Sequence, residues 1–206
     1  MKLVMSPPSP FVRKVRVLIR EADLLDTVTE VQVTTSAFAP DPAAIAANPL
    51  GKIPALIRPD APTLIDSRVI CRFLDDHAGA NLYPVSRLWE VLTLEALADG
   101  IMDAAVSMSY ETRLRPEAEQ SPDWIEAQWS KVARALGSIE TGWMSHLSGP
   151  LNIGQIGVAA ALSYLDLRHD ARNWRDGHLV LARWHAAFSE RPSMKDTGPE
   201  TGAQKV

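Results

Sequence analysis

Two stretches of this chain combine residue types and spacing that could do chemistry. The first, Ser9-Pro10-Phe11-Val12-Arg13-Lys14-Val15, follows the apolar opening Met1-Lys2-Leu3-Val4-Met5. Ser9 ahead of Pro10 signals a helix start, because proline suits the first helical position and a serine oxygen accepts from first-turn N–H groups. The same hydroxyl, with the positive end of a helix behind it, favours a bound thiolate over a thiol. A free thiol has a pKa of about 8.5, and a drop of two units is worth roughly 2.7 kcal/mol, which a hydrogen bond and a helix dipole can supply. No His-Asp relay stands beside Ser9, so it is not read as a nucleophile.

The second stretch is Asn48-Pro49-Leu50-Gly51-Lys52-Ile53-Pro54-Ala55-Leu56, followed by Leu64-Ile65-Asp66-Ser67. A proline fits only the start or edge of a strand. With a cis bond before Pro54, the Ile53 N–H and C=O would face outward and could pair with an extended peptide as an added strand. The plainer reading is a proline that ends a loop. Ser67 at a helix N-cap would offer free N–H groups to a carboxylate, and Asp66 beside it could meet an ammonium. Together they suit the α-carbon end of an amino acid, although either residue alone is an ordinary helix cap.

The whole-chain numbers set limits. The 206 residues are 46% hydrophobic and 22% charged, as in an ordinary globular protein. The net charge of −4 argues against nucleic acid or an anionic membrane as the main partner. Arg13, Lys14, Arg16 and Arg20 cluster, and helical spacing suggests a solvated outer face. Cys71 is the single cysteine, so no internal disulfide forms, and its apolar neighbours mark a packed, inert thiol. The five histidines show no metal-ligand grouping, so no metal is expected. With no long apolar leader or spanning segment, a cytoplasmic protein is expected.

These residues need elements to position them. Leu3 to Met5 reads as a buried strand, and Val12, Val15, Leu18 and Ile19 as one helix face running to about Leu24. Val28 to Val33 alternates as a second strand, and Ala43 to Ala47 is a short helix. Ala55 to Ile57 and Thr63 to Ile65 are strands around the turn Pro59-Asp60-Ala61-Pro62. Ser67 then opens a helix through Val69, Ile70, Phe73 and Leu74. The order β-α-β-α-β-β-α describes a small mixed sheet with helices on its faces. Beyond Pro84 only helical spacing occurs: Leu88 toward Leu114, Trp124 to Leu136, Ile153 to Leu167, and Leu179 to Ala187 before Arg191-Pro192. The fold class is thus α/β plus all-α, with domains at 1–80 and 87–206 joined by a linker at 81–86. The tail from Asp196 is expected to be loosely held.

In this order and spacing, Ser9-Pro10-Phe11-Val12-Arg13, Asn48 to Pro54, and Leu64-Ile65-Asp66-Ser67 resemble the glutathione S-transferases, as does the late Arg191-Pro192-Ser193-Met194. The resemblance implies a thioredoxin-like N-terminal domain and a helical C-terminal domain. It implies glutathione as co-substrate, with Ile53 pairing to its cysteinyl backbone, Pro54 cis, Asp66 and Ser67 at the γ-glutamyl end and Lys52 near the glycyl carboxylate. Ser9 takes the thiolate-stabilising role and Phe11 is a further glutathione-binding candidate. Cysteine-type classes carry Cys where this chain has Ser9, which disfavours thiol-disulfide exchange. The implied protein is a homodimeric transferase that adds glutathione to a small hydrophobic electrophile between its domains, with Phe11, Met102, Met108 and Tyr110 as pocket candidates. Asp103 is a candidate for reaching the neighbouring subunit's glutathione.

Departures from the family pattern accompany the resemblance. Asp66 stands where Glu or Gln is usual, and Ala37 to Pro42 lacks the basic or amide residue that would help Lys52. Asn152 and Gln155 replace the usual Ser/Thr and Asp of the core helix's capping box. Asn still caps and Gln is expected to reach back. Two alternatives remain. One is a glutathione-dependent isomerase or dehalogenase, weakened because Ser6-Pro7-Pro8-Ser9 has no serine-cysteine pair. The other is a binding or stress-response module without turnover.

Overall fold

The computed structural model describes residues 1–199. The chain separates into two compact units, Met1–Tyr83 together with the segment from Arg191, and Pro84–Glu190. The first unit contains β1 (Lys2–Met5), α1 (Pro10–Glu21), β2 (Thr29–Gln32), α2 (Pro42–Ala47), β3 (Ala55–Arg58), β4 (Ala61–Ile65) and α3 (Ser67–Ala78), the order read from the sequence. The sheet order is β2-β1-β3-β4, with β1 parallel to β2 and antiparallel to β3, and β3 antiparallel to β4. This is the thioredoxin-like arrangement. Leu3, Val4 and Met5 are all buried because β1 lies inside the sheet and is covered on both faces. One face holds Val4, Val33, Ala44, Ala47 and Ala55, with Ile53, Ile57 and Ile65 packed around them, so α2 seals this side with alanines.

On α1, Val12, Val15, Leu18 and Ile19 are fully buried, as their spacing requires. The basic residues of this helix do not form a solvated face. Lys14 is fully enclosed and Arg16 nearly so, while Glu30 at β2 accepts from Arg16 Nε (2.9 Å) and Arg20 Nη1 (2.8 Å). The reason is geometric. Lys14 lies three residues after Phe11 and four before Leu18, on the apolar stripe rather than opposite it.

Helix α3 ends at Gly79, whose φ of 62° supplies the left-handed residue after the last turn. A short helix, Pro192–Asp196, belongs with the first unit, although the sequence places 87–206 in one domain. Arg191 Nε and Nη2 donate to Glu21 of α1 at 2.8 and 2.6 Å, and Arg13 Nη2 donates to the Met194 carbonyl at 3.0 Å. The expectation of a loose tail from Asp196 is corrected at its first turn: Thr197 is fully buried and its hydroxyl donates to the Ser193 carbonyl. The remainder of that expectation, 200–206, lies outside the described residues.

The second unit is helical: α4 (Leu88–Leu114), α5 (Pro122–Gly142), α6 (Met144–Leu147), α7 (Ile153–His169) and α8 (Leu179–Ser189), and then, back in the first unit, α9 (Pro192–Asp196). The first ten residues of α7 are all buried, so this helix is apolar all round and forms the centre of its unit. Gly154 lets α7 approach α4, because a Cβ there would stand 3.0 Å from Leu94 Cβ. The Glu140 carboxylate on α5 accepts the N–H groups of Val180 (3.0 Å) and Leu181 (2.7 Å), capping α8 from another helix. Among the described residues no helix is long and apolar enough to cross a membrane.

Candidate functional site

Strand register brings the first-unit candidates to one end of the sheet. Val4 pairs with Ala55, and Ala55 pairs with Ile65. Ser9 follows the end of β1, Ile53-Pro54 precedes β3, and Asp66-Ser67 follows β4. Because β3 runs against both neighbours, these three segments emerge at the same edge, beside the N-termini of α1 and α3. A one-residue slip of β3 would turn the side chains of this strand to the opposite face and move Pro54 along that edge.

Ser9 is the N-cap of α1, and its Oγ accepts from the Val12 N–H at 3.3 Å. Capping uses a lone pair on oxygen and leaves the hydroxyl proton to be donated elsewhere. Ser9 is half-buried and Pro10 fills the first helical position. Phe11, in the first turn, is also half-buried. The Ile53–Pro54 bond is cis, and the Ile53 side chain packs on the Val4–Ala55 cluster, which anchors the backbone at that point. Asn48 braces the same loop. Its amide donates to the Lys52 carbonyl at 2.9 Å and its oxygen accepts from Leu50 N–H at 3.0 Å. Gly51 adopts a φ of 63° there, a conformation L side chains rarely take. Lys52 is exposed, and among the described residues its ammonium has no hydrogen bond or ion pair.

The cap of α3 is Asp66, not Ser67 as the sequence suggested. Asp66 has a φ of 69°, and its Oδ1 accepts from Arg68 N–H at 2.9 Å. The physical reason is the turn out of β4. It demands a left-handed residue immediately before the helix, which Asp tolerates better than most residues with a Cβ. Ser67 becomes the first helical residue and is buried. Arg68 also reaches back to Asp66 through Nε (3.2 Å) and Nη2 (3.3 Å). Partial burial raises the Asp66 pKa, but the hydrogen bonds from Arg68 and the charges of Arg68 and Lys14 outweigh it, so the net shift is downward. Asp66 is therefore an anion at neutral pH, and its carboxylate has lone pairs to spare for an incoming ammonium.

Arg68 and Lys14, whose charges act on Asp66, are the residues beside this carboxylate that reading by motif missed. Lys14 announced itself only as a cation on an apolar stripe, and Arg68 only as a cation two residues past an acid.

In the helical unit the candidates are dispersed. Asp103 is exposed on α4, as is Tyr110 at 47% of its surface. Met102 and Met108, expected to line an apolar pocket, are buried at 0% and 1%, so they fill the core and offer no surface to an electrophile. The flexible apolar side chains that suggested a pocket serve equally well on the buried side of α4.

The Gln155 side chain does not complete a capping box. Asn152 Oδ1 accepts from Gln155 N–H at 3.3 Å, but Gln155 Nε2 lies 3.0–3.3 Å from the carbonyls of His146, Leu147, Gly149 and Pro150. Gln is an amide donor, and the turn before α7 presents carbonyls that a carboxylate could not satisfy.

Ser163, His185 and Asp166 stand in the order of a hydrolase relay, with Ser163 Oγ 3.0 Å from His185 Nε2. Asp166 is 3.9 Å from His185 Nδ1 and is held instead by Arg175 (2.6 and 2.8 Å) and Trp174 Nε1 (2.6 Å). Ser163 also sits inside α7, where backbone N–H groups are bonded within the helix and cannot serve a reacting oxyanion. This cluster ties α7 to α8 and to the loop between them.

Comparison with known proteins finds relatives over nearly the whole chain. Residues 8–77 match the model for the glutathione S-transferase N-terminal domain, and 122–187 the model for its C-terminal domain. The uncharacterized GST-like protein YibF of Escherichia coli strain K12 is 35% identical over 206 residues, covering 97% of this chain and 98% of its own length. A glutathione transferase family member from Pseudomonas fluorescens Pf-5, solved with bound glutathione, shares 44% identity with a TM-score of 0.94, covering 96% of this chain and 98% of that one. A second Pseudomonas fluorescens Pf-5 structure holds S-(propanoic acid)-glutathione, at 42% identity and a TM-score of 0.89, covering 97% and 99%.

Proposed function

The chain belongs to the glutathione S-transferase family, and from that premise we propose that it binds glutathione at the Ser9–Pro54–Asp66 edge and transfers it to an electrophile. The observation that carries this reading is the register Val4–Ala55–Ile65, which gathers a hydroxyl donor, a cis-proline turn and an anionic helix cap at one sheet end. In this reading Ile53 pairs with the cysteinyl backbone, Asp66 accepts the γ-glutamyl ammonium, Ser67 at the α3 N-terminus receives the adjoining carboxylate, and Lys52 attracts the glycyl carboxylate. The Ser9 hydroxyl donates a hydrogen bond to the sulfur and keeps its proton. The thiol proton leaves to water, and the thiolate remains stabilised by the hydroxyl and the α1 N-terminus.

The chemistry is then nucleophilic attack. The thiolate forms a C–S bond at the electrophilic carbon, and with an aryl halide the C–halogen bond breaks and halide departs with the electron pair. The rate gain comes from holding two reactants together and from populating the thiolate at neutral pH. Conjugates with a carboxylate arm, like the one bound by the Pseudomonas relative, are among the products this chemistry allows. A detoxifying role in the cytoplasm, as a homodimer, is part of the same proposal. In the same proposal Phe11 adjoins the bound glutathione, Tyr110 is a contact for an apolar substrate, and Asp103 serves the neighbouring subunit.

Ultraviolet absorbance of bound glutathione at neutral pH, which reports thiolate, tests the reading. The wild-type protein is expected to show the thiolate band, and Ser9→Ala to bind glutathione with the band and turnover reduced. An undiminished band and turnover in Ser9→Ala would leave Ser9 as a cap only. A protein that ignores millimolar glutathione would instead be a module without this activity.

A further inference from the structure

Two arginines of the helical unit meet at one end of α4 and α7, and neither forms an ion pair among the described residues. Leu94 of α4 meets Gly154 of α7, and Ser109 of α4 accepts from the Tyr164 hydroxyl of α7 at 3.1 Å. The two contacts advance together along both helices, so α4 and α7 run parallel. One turn beyond the Ser109–Tyr164 bond, about 6 Å along each axis, come Arg113 on α4 and Arg168 on α7. Each is four residues past a member of that bonded pair, on the same helix face.

Neither guanidinium has an ion pair among the described residues; Arg168 hydrogen-bonds the Tyr164 hydroxyl, and its Nε is fully buried without a partner. Burial and then the charge of Arg113 push the Arg168 pKa down, and of the groups acting on it only Tyr164 opposes. The other arginine nearby, Arg172, is already paired with Glu126. Two adjacent positive charges, one half-buried, are unfavourable unless an anion joins them.

We propose that Arg113 and Arg168 form an anion subsite that takes the carboxylate of a small organic acid. Two planar guanidinium forks suit a carboxylate, which each can grip with paired N–H donors. The site lies at the C-terminal ends of α4 and α7, where exposed carbonyls and the negative ends of two helix dipoles disfavour a phosphate dianion that needs many donors. Tyr110, half-exposed on α4, offers a flat apolar surface to the body of the acid, and the Tyr164 hydroxyl is already committed to Ser109. This site does not depend on the glutathione reading and can fail or stand without it.

Isothermal titration of the full chain with propanoate, propanamide and inorganic phosphate, without glutathione, tests the proposal. Propanoate is expected to bind saturably and propanamide not to bind. Arg168→Gln and Arg113→Gln should each weaken propanoate by about tenfold or more, as expected for losing a hydrogen bond to a charged group. Arg113 is exposed, so Arg113→Gln reads the pair without burdening the fold, and Arg168→Lys should fall between wild type and Arg168→Gln because it keeps the charge but not the fork. Absence of saturable propanoate binding, wild-type affinity in both glutamine variants, or phosphate binding tighter than propanoate overturns the proposal. So does a lowered thermal midpoint in the variants when the wild type binds no propanoate, which is the result if the arginines serve only the helix ends.

Discussion

At the scale of single residues, the proposed glutathione site uses side chains whose capping bonds leave other atoms for a ligand. Ser9 caps α1 with a lone pair and keeps its proton for a ligand, so the structural and chemical roles do not compete. Asp66 caps α3 with Oδ1 and keeps acceptor capacity on both oxygens. Asp66→Asn separates the two roles, because Asn preserves both the cap and tolerance for the positive φ while removing the charge. Glutathione affinity measured by calorimetry should fall about tenfold in Asp66→Asn, the worth of a charge-assisted bond, with the thermal midpoint nearly unchanged. Asp66→Ala should lose the same affinity and about 1 kcal/mol of stability from the missing cap. Unaltered affinity in Asp66→Asn would remove the ammonium-binding role.

Between elements, the close approach at Gly154 and the donor of Gln155 are two of the contacts that hold the helical unit together. Gly154 faces Leu94 at a distance that real Cβ atoms rarely tolerate, and Asn152 Oδ1 is 3.1 Å from the same point. Gly154→Ala should therefore destabilise the protein by about 1–3 kcal/mol through overpacking, read as a lower denaturant midpoint with an unchanged slope. A variant as stable as wild type would show that α7 can shift away from α4. Gln155→Glu is expected to cost about 2–3 kcal/mol, because it replaces a donor with acceptors among buried carbonyls. Gln155→Ala should cost less, since it adds no charge, and the reverse ranking would refute this account of the turn.

For the molecule as a whole, the clamp between Glu21, Arg191 and Ser193 brings the late segment back onto α1. Its consequence is a pH dependence. The hydrogen bond from Arg191 outweighs burial and, with Ser193, lowers the Glu21 pKa from its ordinary 4.5. A depressed carboxylate contributes stability that is complete above its unfolded pKa and is lost as pH falls through its folded value. Wild type should thus lose stability on acidification from about pH 4.5 downward, and Glu21→Gln should flatten that part of the curve while lowering stability at neutral pH. An unchanged acid limb in Glu21→Gln would show that other carboxylates govern it. The proposed homodimer predicts a sedimentation mass twice that of the chain, and a monomer at micromolar concentration would remove Asp103 from any role across subunits.

Much of this protein was determined by its sequence alone. Strand and helix order followed from local periodicity and turn chemistry, since alternation, 3.6-residue spacing and the Ser9-Pro10 pair act within a few residues. The site segments were legible for the same reason. What only the tertiary structure decided was burial and partnership. Lys14 and Arg16 look like a wet face until α1 is set against its sheet, and Met102 and Met108 look like a pocket until the helices close around them. Asp66 rather than Ser67 became the cap because the exit from β4 imposes a backbone angle that no local pattern encodes. Gln155 found its carbonyls, and α9 its place on α1, through contacts between residues far apart in the chain, where spacing along the sequence contains no information about distance.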